Sequence, residues 1–260
     1  MDLGLLGKVA AITGGSEGIG RATAFRFCEE GVRVAICARR EGVLQTTAKE
    51  IASATGGEVL AVCADVTTAA NCARFIQQTV ERFGRLDILV NNAGRSSAMP
   101  FEEADDEVWQ EDMEVKLYGA IRCTRLAIPH MRKQGGGRII NMTTIGGKQP
   151  GAQSVPTSVT RAAGINLTKA LAHEYAADNI LVNTICLGHL KSAQWTRRWQ
   201  AHFSHMTLDE FYAMQGESIP LKRLGEAEDV ADLVCFLASE RARYITGTAI
   251  NIDGGFSGVV

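Results

Sequence analysis

Short apolar or β-branched runs alternate with longer stretches of helical periodicity along almost the whole chain. Residues 8–12, 33–37, 58–63, 86–90, 138–143, 179–185 and 248–252 read as seven strands, with helices between them over 19–30, 42–55, 69–83, 105–133, 156–177 and 226–238. This alternation predicts an α/β fold: one doubly wound domain whose seven-stranded parallel sheet carries helices on both faces. A chain of 260 residues is long for an average domain, yet it holds no linker-like stretch, internal repeat or low-complexity tract. Gly135, Gly136 and Gly137 read as a turn after a long helix.

One segment breaks the rhythm. Between the sixth and seventh strands, residues 191–219 place Trp195, Trp199, Phe203, Phe211 and Tyr212 at roughly helical spacing. Long insertions beside the carboxyl ends of strands shape ligand sites, so a helical lid over a substrate pocket is expected. The alternative is a helical pair that packs its aromatics into the core or against another subunit.

The run Thr13-Gly14-Gly15-Ser16-Glu17-Gly18-Ile19-Gly20 follows the first strand directly and opens the first helix. Glycines there let the backbone pass close to a pyrophosphate, whose charge meets free N–H groups and the positive end of a helix that begins near Ile19. A dinucleotide site is expected. The second strand ends Ile36-Cys37-Ala38-Arg39-Arg40, with no carboxylate to hydrogen-bond a ribose 2′-hydroxyl and with arginines able to fork a 2′-phosphate. NADP(H) is therefore expected over NAD(H). A solvated basic turn is the alternative, and Glu17 adds negative charge nearby.

Three further motifs join the loop: Asn91-Asn92-Ala93-Gly94 after the fourth strand, Asp65-Val66 after the third, and Ile245-Thr246-Gly247 with Asp253-Gly254-Gly255 near the end. In this order and spacing they make the chain, from about Leu6 to Gly255, resemble the short-chain dehydrogenase/reductase family, particularly its ketoacyl-reductase-like members. The resemblance implies a Rossmann-type domain in which Gly14, Ser16, Gly18, Ile19 and Gly20 wrap the pyrophosphate, with Glu17 also at the cofactor site. It further implies that Asp65 and Val66 border the adenine and that Asn92, Ala93 and Gly94 lie beside the nicotinamide ribose, with Arg161, Gly188 and Leu190 also near the cofactor. By the same resemblance, the helices at 105–133 and 156–177 pair between subunits of a homodimer or homotetramer.

Family members use a tyrosine as general acid/base, a lysine four residues later, a carbonyl-orienting serine and an asparagine that completes a proton relay. All four positions differ here. Thr144 stands at the serine position, Thr157 at the tyrosine, Arg161 at the lysine and Lys116 at the asparagine. Thr144 keeps a hydroxyl, whereas Thr157 is shorter than a tyrosine by a ring and a far weaker acid than a phenol, so it reads as a spacer. Arg161 can hold ribose hydroxyls but stays protonated. A partly buried Lys116 beside it would have its pKa lowered and could work as an acid or base.

His189, just after the sixth strand in Cys186-Leu187-Gly188-His189-Leu190, is a second proton-donor candidate, set against a histidine bonded to its own loop backbone. Tyr118, two residues beyond Lys116, reads as a packing residue on nearly the opposite helix face. Arg95, Lys148, Gln149 and Gln153 flank the expected pocket and, with Lys116 and Arg161, would suit a small anionic substrate.

Composition narrows the partners. Lys plus Arg number 27 against 29 for Asp plus Glu, a net charge of −2 that offers no electrostatic reason to expect nucleic acid or an anionic membrane. The N-terminus lacks the basic start and apolar core of a secretory signal, and no stretch reaches the roughly 18 apolar residues of a membrane span, so a soluble cytoplasmic protein is expected. The seven cysteines are odd in number, scattered and never C-x-x-C, the pattern of reduced core thiols rather than of a metal site. The leading expectation is an NADP(H)-dependent oxidoreductase acting on a small or medium carbonyl or hydroxyl compound with an altered acid. A lyase, isomerase or cyclase reusing the pocket and a catalytically silent NADP(H)-binding member are the alternatives.

Overall fold

Along the first strand, β1 (Val9–Thr13), successive side chains enter two different cores. Ala10 and Ile12 pack with Phe27, Leu44, Ile51 and Val230 on one face of the sheet, while Val9 and Ala11 pack with Phe75, Ile76, Cys123 and Met131 on the other. The next strand, β2 (Arg33–Ala38), divides in the same way, with Val34 and Ile36 on the first face and Ala35 and Cys37 on the second. Since side chains alternate across a strand, a strand covered on both faces must be apolar at nearly every position.

The structure, a computed structural model, describes residues 2–260. Its sheet is completed by β3 (Val59–Cys63), β4 (Ile88–Asn91), β5 (Gly137–Thr144), β6 (Ile180–Leu187) and β7 (Ala249–Ile252), in the order β3-β2-β1-β4-β5-β6-β7. Every neighbouring pair is parallel. The chain winds outward from β1 to β3 and then returns to β4 on the other side of β1. That reversal opens a crevice at the carboxyl ends of β1 and β4, the place where open α/β sheets bind ligands.

Helices α1 (Gly18–Glu29), α2 (Glu41–Thr55) and α3 (Ala69–Phe83) fall where periodicity puts them. The single helix expected over 105–133 is instead a continuous path in three parts: α4 (Asp106–Met113), a π-helical turn over Glu114–Tyr118, and α5 (Gly119–Lys133). Such one-turn widenings recur at functional sites, and this one carries Lys116. Beyond β5 come α6 (Thr157–Tyr175), then α7 (Ala193–His202) and α8 (Leu208–Gly216) in the aromatic insertion, and α9 (Ala227–Ala238). The insertion builds a small core of its own: Phe211 is fully buried, with ring centroids of Phe203 and Trp195 at 5.0 and 6.0 Å. Thr207 and Glu210 close the start of α8 with a reciprocal capping box.

Among the described residues, no helix is long and apolar enough to cross a membrane and no cluster of His, Cys, Asp or Glu could hold a metal ion. All seven cysteines are free thiols, and all but Cys63 are buried.

Candidate active site

A cleft of about 530 Å³ lies over the carboxyl ends of β1 to β4. Its floor is the glycine run. Gly14 has a left-handed φ of 69°, and a Cβ on Gly20 would lie 2.2 Å from the Gly14 carbonyl oxygen, so no other residue fits there without moving the turn. Side chains around the loop hold its backbone. Asn92 Nδ2 donates to the carbonyls of Thr13 (2.9 Å) and Gly14 (3.0 Å), the Thr13 hydroxyl accepts from the amides of Asn92 and Ala93 at 3.0 Å, and Thr47 donates to the Ser16 carbonyl at 2.8 Å. Gly18 and Ile19 begin α1, whose first-turn amides have no partner within the helix. Asn92 thus serves the cradle by bracing it.

Asp65, Val66, Ala93 and Gly94 line the cleft, and Asp65 Oδ1 accepts from the amide and hydroxyl of Thr67 (3.0 and 2.9 Å), fixing the turn after β3. At the end of β2, Arg39 and Arg40 both face the cleft. The Arg40 guanidinium is paired with the Glu17 carboxylate, whereas the Arg39 guanidinium has no protein partner among the described residues. Gly188 and Leu190 sit elsewhere than the cleft lining: a Cβ on Gly188 would meet Asp253 Cβ at 2.4 Å, and the Leu190 side chain joins the hydrophobic core.

Beyond Gly94 the site becomes a network of buried side chains. Lys116 and Asp112, one helical step apart, have side chains 1 % and 0 % exposed and form a direct ion pair. Lys116 Nζ also donates to Thr157 Oγ1 at 2.8 Å, and Asp112 Oδ2 accepts from Thr160 Oγ1 at 2.6 Å. The Thr157 hydroxyl accepts a second bond, from the Ser97 amide at 2.9 Å. A hydroxyl oxygen has two lone pairs, so with both engaged the Thr157 O–H is left to donate outward. Asp112 and Thr160 were not singled out from sequence; the signal for Asp112 was its i,i+4 spacing to Lys116.

Arg161 is buried between β5 and the cleft wall, where its Nη1 donates to the Met142 carbonyl at 2.6 Å. Gly94 makes room for it: a Cβ there would stand 2.7 Å from Arg161 Nη2. Burial, and next the adjacent Arg161 charge, push the Lys116 ammonium down to about 8 against the upward pull of Asp112. Burial also lowers Arg161, to about 10, which leaves it charged at neutral pH. With two cations and one carboxylate, the buried cluster carries a net positive charge. Thr144 ends β5 half-buried, its hydroxyl without a protein partner among the described residues.

The remaining candidates disperse. His189 lines a different cavity, with Leu221, Arg223 and Asp253, and its ring packs on Phe256 (4.6 Å between centroids) and Trp195 (5.6 Å) rather than bonding the loop backbone. Burial, then Arg198, hold it below the ordinary histidine value and hence neutral at pH 7. Lys148 is not a pocket cation: its ammonium is spent on the Ala249 carbonyl and Asn251 Oδ1, both at 2.6 Å. Gln149 accepts from the Gly258 amide at 2.9 Å, tying down the C-terminal tail, while Gln153 is an exposed turn residue with φ of 54°. Arg95 does face the cleft, paired with Glu111 at 2.6 Å. Tyr118 is 41 % exposed under the Arg122 guanidinium, and so is not the packing residue its helix position suggested.

Comparison with known proteins places this geometry. A family model described as enoyl-(acyl carrier protein) reductase matches residues 14–257. An uncharacterised oxidoreductase of Thermotoga maritima is 37% identical over 253 residues, 97% of this chain and 98% of that protein. The crystal structure of L-sorbose reductase from Gluconobacter frateurii, complexed with NADPH and L-sorbose, superposes with a TM-score of 0.95 at 37% identity, covering 100% of both chains. An NADPH-bound short-chain oxidoreductase from Pseudomonas aeruginosa PAO1, described as containing an atypical catalytic center, has a TM-score of 0.92 at 33% identity over 98% of this chain and 99% of that one. On its matched length, its fold and its glycine cradle, the chain belongs to the short-chain dehydrogenase/reductase family.

Proposed function

We propose that the protein is an NADP(H)-dependent oxidoreductase acting on a small or medium carbonyl or hydroxyl compound, with Lys116 as proton source and Thr157 as the group that meets substrate oxygen. The observation that carries this is the Lys116 Nζ to Thr157 Oγ1 hydrogen bond of 2.8 Å, made by a buried ammonium whose pKa lies near 8. The cradle fits the nucleotide: Gly14 and Gly20 leave the space that a Cβ would fill, and the Arg39 guanidinium is free to pair with a 2′-phosphate. NADPH in the sorbose reductase and in the Pseudomonas oxidoreductase supports the same assignment.

When bound, the nicotinamide supplies or takes the hydride. The chain's residues handle the proton. In the reducing direction the Thr157 hydroxyl proton passes to the substrate oxygen as a Lys116 ammonium proton passes to Thr157 Oγ1, leaving a neutral amine that regains a solvent proton through the Thr157 hydroxyl once product has left. Asp112 holds Lys116 in place through this exchange, and the net positive cluster favours an oxygen gaining negative charge. That charge also suits a small anionic substrate. In this reading α7 and α8 form the lid, and the outer faces of α5 and α6 join subunits of a homodimer or homotetramer.

The test is NADPH oxidation over a panel of aldehydes and ketones, run beside nucleotide titration. Turnover is expected to be level below pH 8 and to fall as pH rises through about 8, where the donor loses its proton. Lys116→Met is expected to lower turnover about a thousandfold and to remove that descending limb. If the Lys116→Met profile is unchanged while His189→Gln abolishes the limb, the histidine is the donor. NADPH binding without turnover on any compound would instead support a silent member or a lyase.

A further inference from the structure

Glu17 is the residue before α1, and its carboxylate does something unusual for that position. An acidic N-cap ordinarily accepts from amides of the first helical turn. Glu17, in extended backbone at φ −153° and ψ 168°, makes no such bond and reaches instead to Arg40 Nη2 on the far side of the cleft mouth. Both side chains are more than half exposed, so as a surface ion pair this one adds little to stability. Its location is what matters. The pair spans the gap between the glycine run and the end of β2, beside the free Arg39 guanidinium, and all three side chains line the cleft.

We infer that Glu17 is an internal stand-in for the ribose phosphate, holding Arg40 in the free protein and setting how tightly and how selectively a 2′-phosphorylated nucleotide binds. This rests on the NADP(H) reading above. A phosphate entering between Arg39 and Arg40 must displace the carboxylate from Arg40 and then sit beside a like charge. A nucleotide with a bare 2′-hydroxyl meets neither cost. Arg39 therefore provides most of the discrimination in the native chain, and the contribution of Arg40 is masked.

The experiment is titration of the full-length protein with NADPH and with NADH, by fluorescence or calorimetry, for the parent, Glu17→Gln, Arg40→Ala and the double variant, with melting temperatures confirming that all fold. Glu17→Gln is expected to tighten NADPH about tenfold and to leave NADH within about twofold. Arg40→Ala is expected to cost NADPH less than about threefold in the parent but about tenfold in the Glu17→Gln background, a coupling that a double-mutant cycle isolates. Unchanged or weaker NADPH binding in Glu17→Gln overturns the inference, and so does a selective loss of NADH, which would mean that Glu17 holds ribose hydroxyls. If the parent binds neither nucleotide, the functional reading falls and this inference falls with it. NADPH binding in the parent that ignores Glu17 removes the inference alone.

Discussion

The outer half of the cleft is made mostly of backbone and the inner half mostly of side chains. Around the glycine run, Thr13, Thr47 and Asn92 spend their polar groups on bracing main-chain atoms, and the cleft there is lined by the glycine loop and the exposed Arg39 and Arg40. Past Gly94 the order inverts: buried Asp112, Lys116 and Thr160 and half-buried Thr157 are bonded in one network that joins α4, the π-helical turn and α6. A backbone site tolerates side-chain change but no change of glycine. A buried side-chain network tolerates neither a missing partner nor an unpaired charge.

The sharpest way to break this contrast is at Gly20. Any Cβ there collides with the Gly14 carbonyl, so Gly20→Val is expected to abolish measurable NADPH binding, a loss of at least about a hundredfold in titration. Binding within a few fold of the parent would mean that the cradle is not backbone-built. In the inner half, Thr157→Ala is expected to lower turnover about a hundredfold with little change in nucleotide affinity, and Thr157→Ser to restore most of it, because the hydroxyl and not the methyl accepts from Lys116. Turnover that survives in Thr157→Ala would make the residue a spacer and leave the inner half without its relay.

A smaller effect sharpens the comparison through stability. Lys116 titrates near 8 when folded against 10.5 when free, so between those values the unfolded chain holds the extra proton. Stability contributed by this group therefore rises with pH across that window, whereas below pH 8 the cost of burying the charge is fully present. Urea unfolding at pH 8 and about pH 9.5 is expected to show the parent gaining on the order of 1–2 kcal/mol relative to Lys116→Met. Parallel curves would show that the ammonium is not desolvated.

How far the molecule was legible from its sequence follows the same division. The seven strands and the glycine cradle were legible because they rest on apolar runs and on motifs such as Gly14-Gly15 and Asn91-Asn92-Ala93-Gly94, which are local and carry their own spacing. The π-helical turn at Glu114–Tyr118 was not read from periodicity, because α4 before it is only eight residues long, too short for its phase to be told apart from that of α5. Asp112 escaped notice although Lys116 lies only one turn away, since its other partner, Thr160, lies 48 residues further along the chain. Lys148 looked like a pocket cation because sequence gives no warning that β7 would supply acceptors for it.

The Lys116 ammonium and the Thr157 hydroxyl share one small space between the π-helical turn and the first turn of α6, so neither position can be changed without regard to the other. A larger side chain at position 157 would press toward the ammonium and the Ser97 amide, while an apolar residue at 116 would leave the buried Asp112 carboxylate with the Thr160 hydroxyl and with Arg161 as the remaining cation of the cluster. Changing either position alone exchanges a working contact for a clash or a lost partner, so a variant changed at both is expected to be better tolerated than the two single variants together would suggest.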